Sequence, residues 1–414
     1  MQSLEEFLKE SKAACRVCAK LLPKERNRIL CDMAEELSAH EAGILEANAL
    51  DFKEAQNAGI KEAFLDRLLL NHERICAMVR ALREIASLKN PIGRVLDGWV
   101  VENGLRIEKV SVPLGVVGII YESRPNVTSD TAALCFKSGN VCVLKGGKEA
   151  QRSNEAIAGI LQDVLEAHHL PRSVIALLPD YSREGVAQFV KMDRYVDLLI
   201  PRGGESLINF VAKNATIPVI KHDKGVCHLY IHEDADYQKA LAIAINAKAS
   251  RPSACNAIET LLVDRAISGE FLQAFAPLAK EAGIALRACE ESLKFIEGSA
   301  ASEEDFSTEY GEKILNIKVV ADIDEALAHI ARYGSGHSEA IVSENHASAE
   351  RFLDEVDAAS IYLNASTRFS DGGEYGFGAE VGISTNKLHA RGPMGINELT
   401  TYKYKVYGSG QVRG

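Results

Sequence analysis

Apolar residues recur at intervals of three and four through the first part of the chain, as in Leu4, Phe7 and Leu8 and again in Ile29, Met33 and Leu37. That spacing puts them on one face of a helix, so residues 3–88 read as a set of amphipathic helices. The period changes at "GWVVENGLRIEKVSV", where residues alternate on both sides of Asn103-Gly104, the strongest short hairpin signal. A projecting two-stranded ribbon over 97–112 is expected. Short apolar runs follow at 114–121, 141–145, 174–179, 197–201 and 217–221, with helical stretches between them. A second set begins with "CHLYI" at 227–231 and continues through "ETLLV", "NIKVV", "EAIVS" and "ASIYLN", separated by helical patterns such as 236–249 and 322–332. Apolar runs alternating with helices imply parallel sheets covered on both faces, hence an α/β fold with two such domains. Ligands of these sheets bind outside the carboxyl ends of the strands. The tail "TTYKYKVYG" at 400–408 alternates again with no evident partner nearby. An orphan strand and a protruding ribbon suggest contacts exchanged between subunits.

At 414 residues the chain is long enough for two or three domains. A formal charge of -11 argues against nucleic acid or an anionic membrane as partner, though not against a small anionic substrate. No window approaches the ~18 consecutive apolar residues of a membrane span. The first residues lack the apolar stretch of a signal peptide, so the expectation is a soluble, cytoplasmic protein. Nine irregularly spaced cysteines argue against a disulfide framework. Cys15 and Cys18 read as small core residues one turn apart, and the histidines show no metal-ligand spacing.

One thiol stands out. In "AKASRPSACNAIETLLVD", Pro252 pushes Arg251 out of helical geometry, so Cys255 falls on a loop just before an apolar strand. No histidine, lysine or carboxylate lies within three residues of it. It is either a buried bystander or a nucleophile whose partners come from elsewhere in the chain. Neither a P-loop nor a G-x-G-x-x-G motif is present, but glycine pairs close two strands, in "LKGGKEA" and "PRGGESL". Glycine permits close backbone approach, and the helix that follows offers N–H groups to an anion. With Lys145, Lys148 and Arg202 beside them, these turns favour a nucleotide.

The order of "VPLGVVGII", "SGNVCVLKGGKEA", "HLPRSVIALLPD", the glycine turn at 203–204, the lone cysteine and "EYGEKILNIKVV" resembles the aldehyde dehydrogenase superfamily. Within it, "YESRPNVTSD", "IKHDKGVCHLYI", "LNASTRFSDGGEYGFGAEVGIST" and "KLHARGPMGINELTTYKYKVYG" look like the gamma-glutamyl phosphate reductase branch, over nearly the whole chain. The resemblance implies a Rossmann-type cofactor domain from 1–96 and 113–227 and an α/β catalytic domain over 228–395. It also implies a β-ribbon oligomerisation arm from 97–112 and 396–414, serving a homo-oligomer, dimer or tetramer. The implied reaction is the NADPH-dependent reduction of L-glutamyl 5-phosphate to L-glutamate 5-semialdehyde and phosphate, the second step of proline synthesis from glutamate. It runs through a thioester and a thiohemiacetal on Cys255.

Residue by residue, Asn126 resembles the family's oxyanion donor, while a gapless count from Gly118 reaches Arg124 instead. His222 stands where hydrolytic relatives carry a water-activating glutamate, so that base is missing; with Lys221 and Lys224 it brings positive charge toward an acyl phosphate. Lys145 matches a lysine that reaches the adenine ribose, Gly203 and Gly204 form the second glycine turn, and Glu309 matches the glutamate of the nicotinamide ribose. Lys148 replaces a carboxylate of NAD-preferring relatives and so favours NADP. By charge logic, Ser366, Thr367 and Arg368 would hold the substrate α-carboxylate and Glu374 its ammonium. The lability of an acyl phosphate adds an expected transient contact with its source, glutamate 5-kinase. An acylating relative that uses coenzyme A and a redox-free acyl transferase or hydrolase stay open as alternatives.

Overall fold

The structure, a computed structural model, describes residues 3–221 and 224–413. The helical opening is made of Leu4–Cys18, Pro23–Ala39, Glu41–Asn57, Glu62–Leu68 and His72–Ser87. Of their periodic residues Leu8, Ile29, Met33 and Leu37 are buried, and Leu4 and Phe7 pack against them half-buried. Ser3 and Asn71 cap two of these helices by accepting backbone N–H groups three residues on. Cys18 belongs to the same core, its thiol donating to the Asn140 carbonyl at 3.4 Å. Among the described residues, no group of His, Cys, Asp and Glu is arranged to hold a metal.

These helices pack on a four-stranded parallel sheet in the order Ile175–Leu177, Val141–Lys145, Val116–Tyr121, Leu198–Arg202. Its two central strands are buried at every position, which is why they read as unbroken apolar runs. The run at 217–221 does not become a strand; it makes a single bridge, Val219 to Leu199. Pro218 has no N–H to give a ladder.

A second, seven-stranded parallel sheet has the order Ser299–Ala300, Ala285–Ala288, Ile314–Val320, Ile258–Asp264, Cys227–Ile231, Ser338–Val342, Ser360–Leu363. Helices Tyr237–Ala249 and Ile323–Tyr333 lie within a residue of expectation, capped by the side chains of Asp236 and Asp322. Strand Ala285–Ala288 has no apolar run to announce it.

The ribbon pairs Val95–Val100 with Arg106–Pro113 in antiparallel register, and Gly104 turns it with φ +84°. The tail strand Thr400–Tyr407, expected to be an orphan, pairs with Arg106–Pro113 of its own chain along its whole length. Register and antiparallel direction are signals that alternation alone does not carry. Val381, Ala390, Met394, Ile396 and Leu399 are buried in the core of the first sheet, so this segment packs there and not on the sheet of the 228–395 unit. Among the described residues, no helix is long and apolar enough to cross a membrane.

Cys255 sits on the loop between helix Tyr237–Ala249 and strand Ile258–Asp264. Lys248 at the helix end and Glu259 at the strand start meet at 2.6 Å, with side chains 0% and 1% exposed. Removing one partner of such a pair strands a buried charge. Lys248→Met is therefore expected to cost about 3–5 kcal/mol, while Lys248→Met with Glu259→Leu costs less than the sum of the single changes. Urea unfolding followed by circular dichroism measures both.

Candidate active site

Several contacts hold the Cys255 loop beyond the ion pair. Thr367 Oγ1 donates to the Asn256 carbonyl at 2.6 Å, and Asn256 Nδ2 donates to the Ser370 carbonyl at 3.0 Å. The thiol of buried Cys227 donates to the Cys255 carbonyl at 3.3 Å. Gly225 lies against the same backbone: a Cβ there would sit 2.1 Å from the Cys255 carbonyl oxygen, so no side chain fits. Its N–H donates to Glu309 Oε2 at 2.9 Å, which ties the expected ribose-binding glutamate to the backbone beneath Cys255.

Cys255 opens into a cleft of about 940 Å³. The cleft lies at the carboxyl ends of the first sheet, where Glu122, Arg202, Gly203 and Gly204 line it, and before the strands of the second, where Cys255 and Glu309 line it. The rule about carboxyl ends thus holds for one sheet and is reversed for the other. Arg124, Asn126 and Arg368 also face this cleft.

Other expected residues do not. Ser366 is buried, its Oγ accepting the Arg368 N–H, and Thr367 is buried under Asn256. Both brace the turn that carries Arg368 and do not line the cleft, because short hydroxyl side chains readily bond nearby backbone. Glu374 is exposed and lies outside the lining. The carboxylates that do line it are Asp371 and Glu380, with Asp66, Glu122, Asp130 and Glu309. His222 lies outside the described residues. Arg67, Arg74 and Arg251 line the cleft and had not been singled out. Arg251, four residues before the thiol, was visible in the sequence; Arg67 and Arg74 come from distant helices.

Burial pushes the Cys255 thiol up to about 11; Arg202 pulls against this, and Glu309 and Glu380 add to it. No described side chain is hydrogen-bonded to its sulfur. Asn126 Nδ2 donates to Asp130 Oδ2 at 2.9 Å, and burial pushes that carboxyl up to about 6. The amide keeps a second N–H. Arg124 is lowered to about 10, by burial first and then by Arg202, Arg67 and Arg251.

The expected cofactor contacts divide between places. Gly203, Gly204 and Glu309 are in the main cleft. The Gly204 N–H is taken by Glu122 Oε2 at 2.9 Å, so the turn binds an anionic group of the chain itself. Lys145 is buried, its Nζ donating to the Gly146 and Tyr181 carbonyls at 3.0 and 3.2 Å. Lys148 is exposed beside a smaller recess of about 270 Å³ that it shares with Arg152, Asp51 and Glu54.

A family model described as the aldehyde dehydrogenase family matches residues 2–290. The chain is 68% identical over 410 residues to the gamma-glutamyl phosphate reductase of Wolinella succinogenes, covering 99% of this chain and 100% of that protein. The chain belongs to the gamma-glutamyl phosphate reductases of the aldehyde dehydrogenase family. The reductase of that name from a Sulfurovum species is 62% identical over 414 residues, covering 99% of this chain and 100% of its own. The crystal structure of gamma-glutamyl phosphate reductase from Thermotoga maritima superposes with a TM-score of 0.98 at 45% identity, covering 100% of both chains. An acetylating aldehyde dehydrogenase from Geobacillus thermoglucosidasius, at 19% identity and TM-score 0.69, shares the fold over 99% of this chain and 97% of its own.

The enzyme at rest thus holds a protonated thiol. Its alkylation by iodoacetamide is expected to quicken about tenfold per pH unit from pH 7 to 9, as the thiolate fraction grows, with no plateau. Rates with Cys255→Ser as the blank measure this; a plateau below pH 8 would mean an ionised thiol at rest.

Proposed function

We propose that this enzyme reduces L-glutamyl 5-phosphate to L-glutamate 5-semialdehyde and phosphate with NADPH, the second step of proline synthesis from glutamate. The observation that carries the reading is a cleft thiol among arginines, in a chain 68% identical along its length to a gamma-glutamyl phosphate reductase. Cys255 sulfur attacks the acyl carbon; the C–O bond to phosphate breaks, and its electron pair leaves with the phosphoryl oxygen. A thioester remains on Cys255. The tetrahedral oxyanion is held by the Cys255 N–H and by the second N–H of Asn126, whose amide Asp130 orients. Reduction of the thioester gives a thiohemiacetal that uses the same donors, and its collapse returns the thiol and releases the aldehyde.

The reduced nicotinamide, when bound, supplies the hydride. Glu309 is the cleft residue suited to hold that end of the cofactor, beside the Gly203–Gly204 turn, and Lys148 suits a 2′-phosphate, which favours NADP over NAD, while Arg152 next to it is ion-paired to Asp51 and Glu54. Lys145, bonded to two backbone carbonyls, steadies the first glycine turn. Arg368 is assigned to the substrate α-carboxylate and Asp371, in place of Glu374, to the ammonium.

The exposed sheet of Val95–Val100, Arg106–Pro113 and Thr400–Tyr407 is assigned as the arm of a homo-oligomer. Trp99, Tyr404 and Val406 are 39, 55 and 55% exposed on it, an apolar surface unusual for a monomer.

Glutamate semialdehyde with NADP should form NADPH only when inorganic phosphate is added, and Cys255→Ser should abolish the signal. Formation that ignores phosphate would point to hydrolysis, and coenzyme A in place of phosphate to the acylating branch. Tyr404→Asp with Val406→Asp should lower the mass seen by light scattering to that of one chain; an unchanged mass would remove the arm from the oligomer.

A further inference from the structure

Four arginines converge beside the Cys255 loop from four different segments. Arg67 comes from helix Glu62–Leu68 and Arg124 from the turn after strand Val116–Tyr121; Arg202 ends strand Leu198–Arg202, and Arg251 stands at the start of the nucleophile loop. None of the four forms an ion pair with a described residue. Glu380 feels the charge of Arg202 without pairing with it. The strongest electrostatic influences on Arg124 are the cations Arg202, Arg67 and Arg251, with the Cys255 thiol a smaller one of opposite sign. Arg368 differs: Arg251 and the Cys255 thiol act on it, but so do the carboxylates Asp371 and Glu374, which offset its charge. Helix Asn126–Lys137 begins at the same wall and turns its positive end toward it.

Guanidinium groups crowded together without ion-pair partners repel one another, and an anion that joins them relieves that repulsion, which the carboxylates elsewhere in the cleft do not do by direct pairing. Arginine's fork of donors matches phosphate oxygens two at a time. The substrate named above carries two anionic groups. The phosphoryl group is bonded through oxygen to the attacked carbon, so it must lie beside the sulfur; the α-carboxylate is at the far end of the chain. Arg202 is the cation that acts most strongly on the thiol, which puts this cluster at the near end.

We propose that Arg124 and Arg202, flanked by Arg67 and Arg251, form the subsite for the phosphoryl leaving group, leaving the α-carboxylate to Arg368. This rests on the functional reading above and deepens it. As the S–C bond forms and the C–O bond breaks, the electron pair passes to a phosphoryl oxygen held by these forks. The thiol proton ends on the phosphate, which departs as hydrogen phosphate.

The test runs the reaction in reverse with glutamate semialdehyde, NADP and inorganic phosphate. Arg124→Met and Arg202→Met are each expected to raise the KM for phosphate about tenfold or more while the KM for semialdehyde stays within about twofold, and Arg368→Met to do the opposite. Arg124→Lys, which keeps the charge and loses the fork, should fall between. Equal shifts in both KM values, or a shift in the semialdehyde KM alone, would overturn the assignment. A second readout needs no turnover: inorganic phosphate should slow alkylation of Cys255 by iodoacetamide, with half-protection at about fivefold more phosphate or higher in Arg202→Lys. Absence of protection in the unaltered enzyme would overturn the subsite. Protection without phosphate-dependent turnover would instead sink the functional reading and leave the subsite standing.

Discussion

Lys248 and Glu259 meet in the interior at the two ends of the loop that carries Cys255, and a buried ion pair is costly to build. Apolar residues of similar volume would in general stabilise the fold as well or better. What the pair supplies is register. It ties the last turn of a helix to the first residues of a strand, so the thiol cannot shift without separating two charges away from water. Burial pushes the Glu259 carboxyl up to about 7 against the pull of Lys248. Thr367, Asn256 and the bare backbone of Gly225 brace the same loop.

That position matters because the two parallel sheets meet end to end. One contributes the turns after its strands and the other the loops before its strands, so neither domain holds a complete site. Glycine at 225 is then a packing requirement, since the chain entering strand Cys227–Ile231 must run against the Cys255 carbonyl while its own N–H holds Glu309. The nucleophile's backbone and the carboxylate assigned to the cofactor ribose are set by one residue.

Much of the fold was legible because period and burial coincide. The fully buried strands of the first sheet and the capped helices Tyr237–Ala249 and Ile323–Tyr333 follow from local pattern. The misses have physical reasons. Pro218 cost the 217–221 run its ladder, and the tail strand found a partner nearly three hundred residues earlier in the chain, a pairing no local window can register. At the site, Cys255 on its loop followed from Pro252 and the apolar strand; Asn126, Arg124, Gly203, Gly204 and Glu309, read from the family resemblance, and Arg368, read from charge logic, all line one cleft. Ser366 and Thr367 went wrong because polarity in a glycine-rich turn signals backbone bonding as readily as ligand binding. Arg67 and Arg74 were invisible because tertiary contact alone brings them near the thiol.

The arginines also bear on the resting thiol. Even with Arg202 beside it, burial and the carboxylates Glu309 and Glu380 keep Cys255 protonated near neutral pH. The described residues put no base on its sulfur. A phosphate leaving an acyl group needs one proton at the moment the sulfur must lose one. In the proposed reaction the guanidinium groups fix the oxygen that receives the proton, and because none of the carboxylates lining the cleft is bonded to the sulfur, the thiol keeps its proton until such an oxygen is present. In a chain of net charge -11 the cleft gathers six arginines among six carboxylates, and under the proposed reading the arginines assigned to the leaving group limit reaction with substrates that lack it.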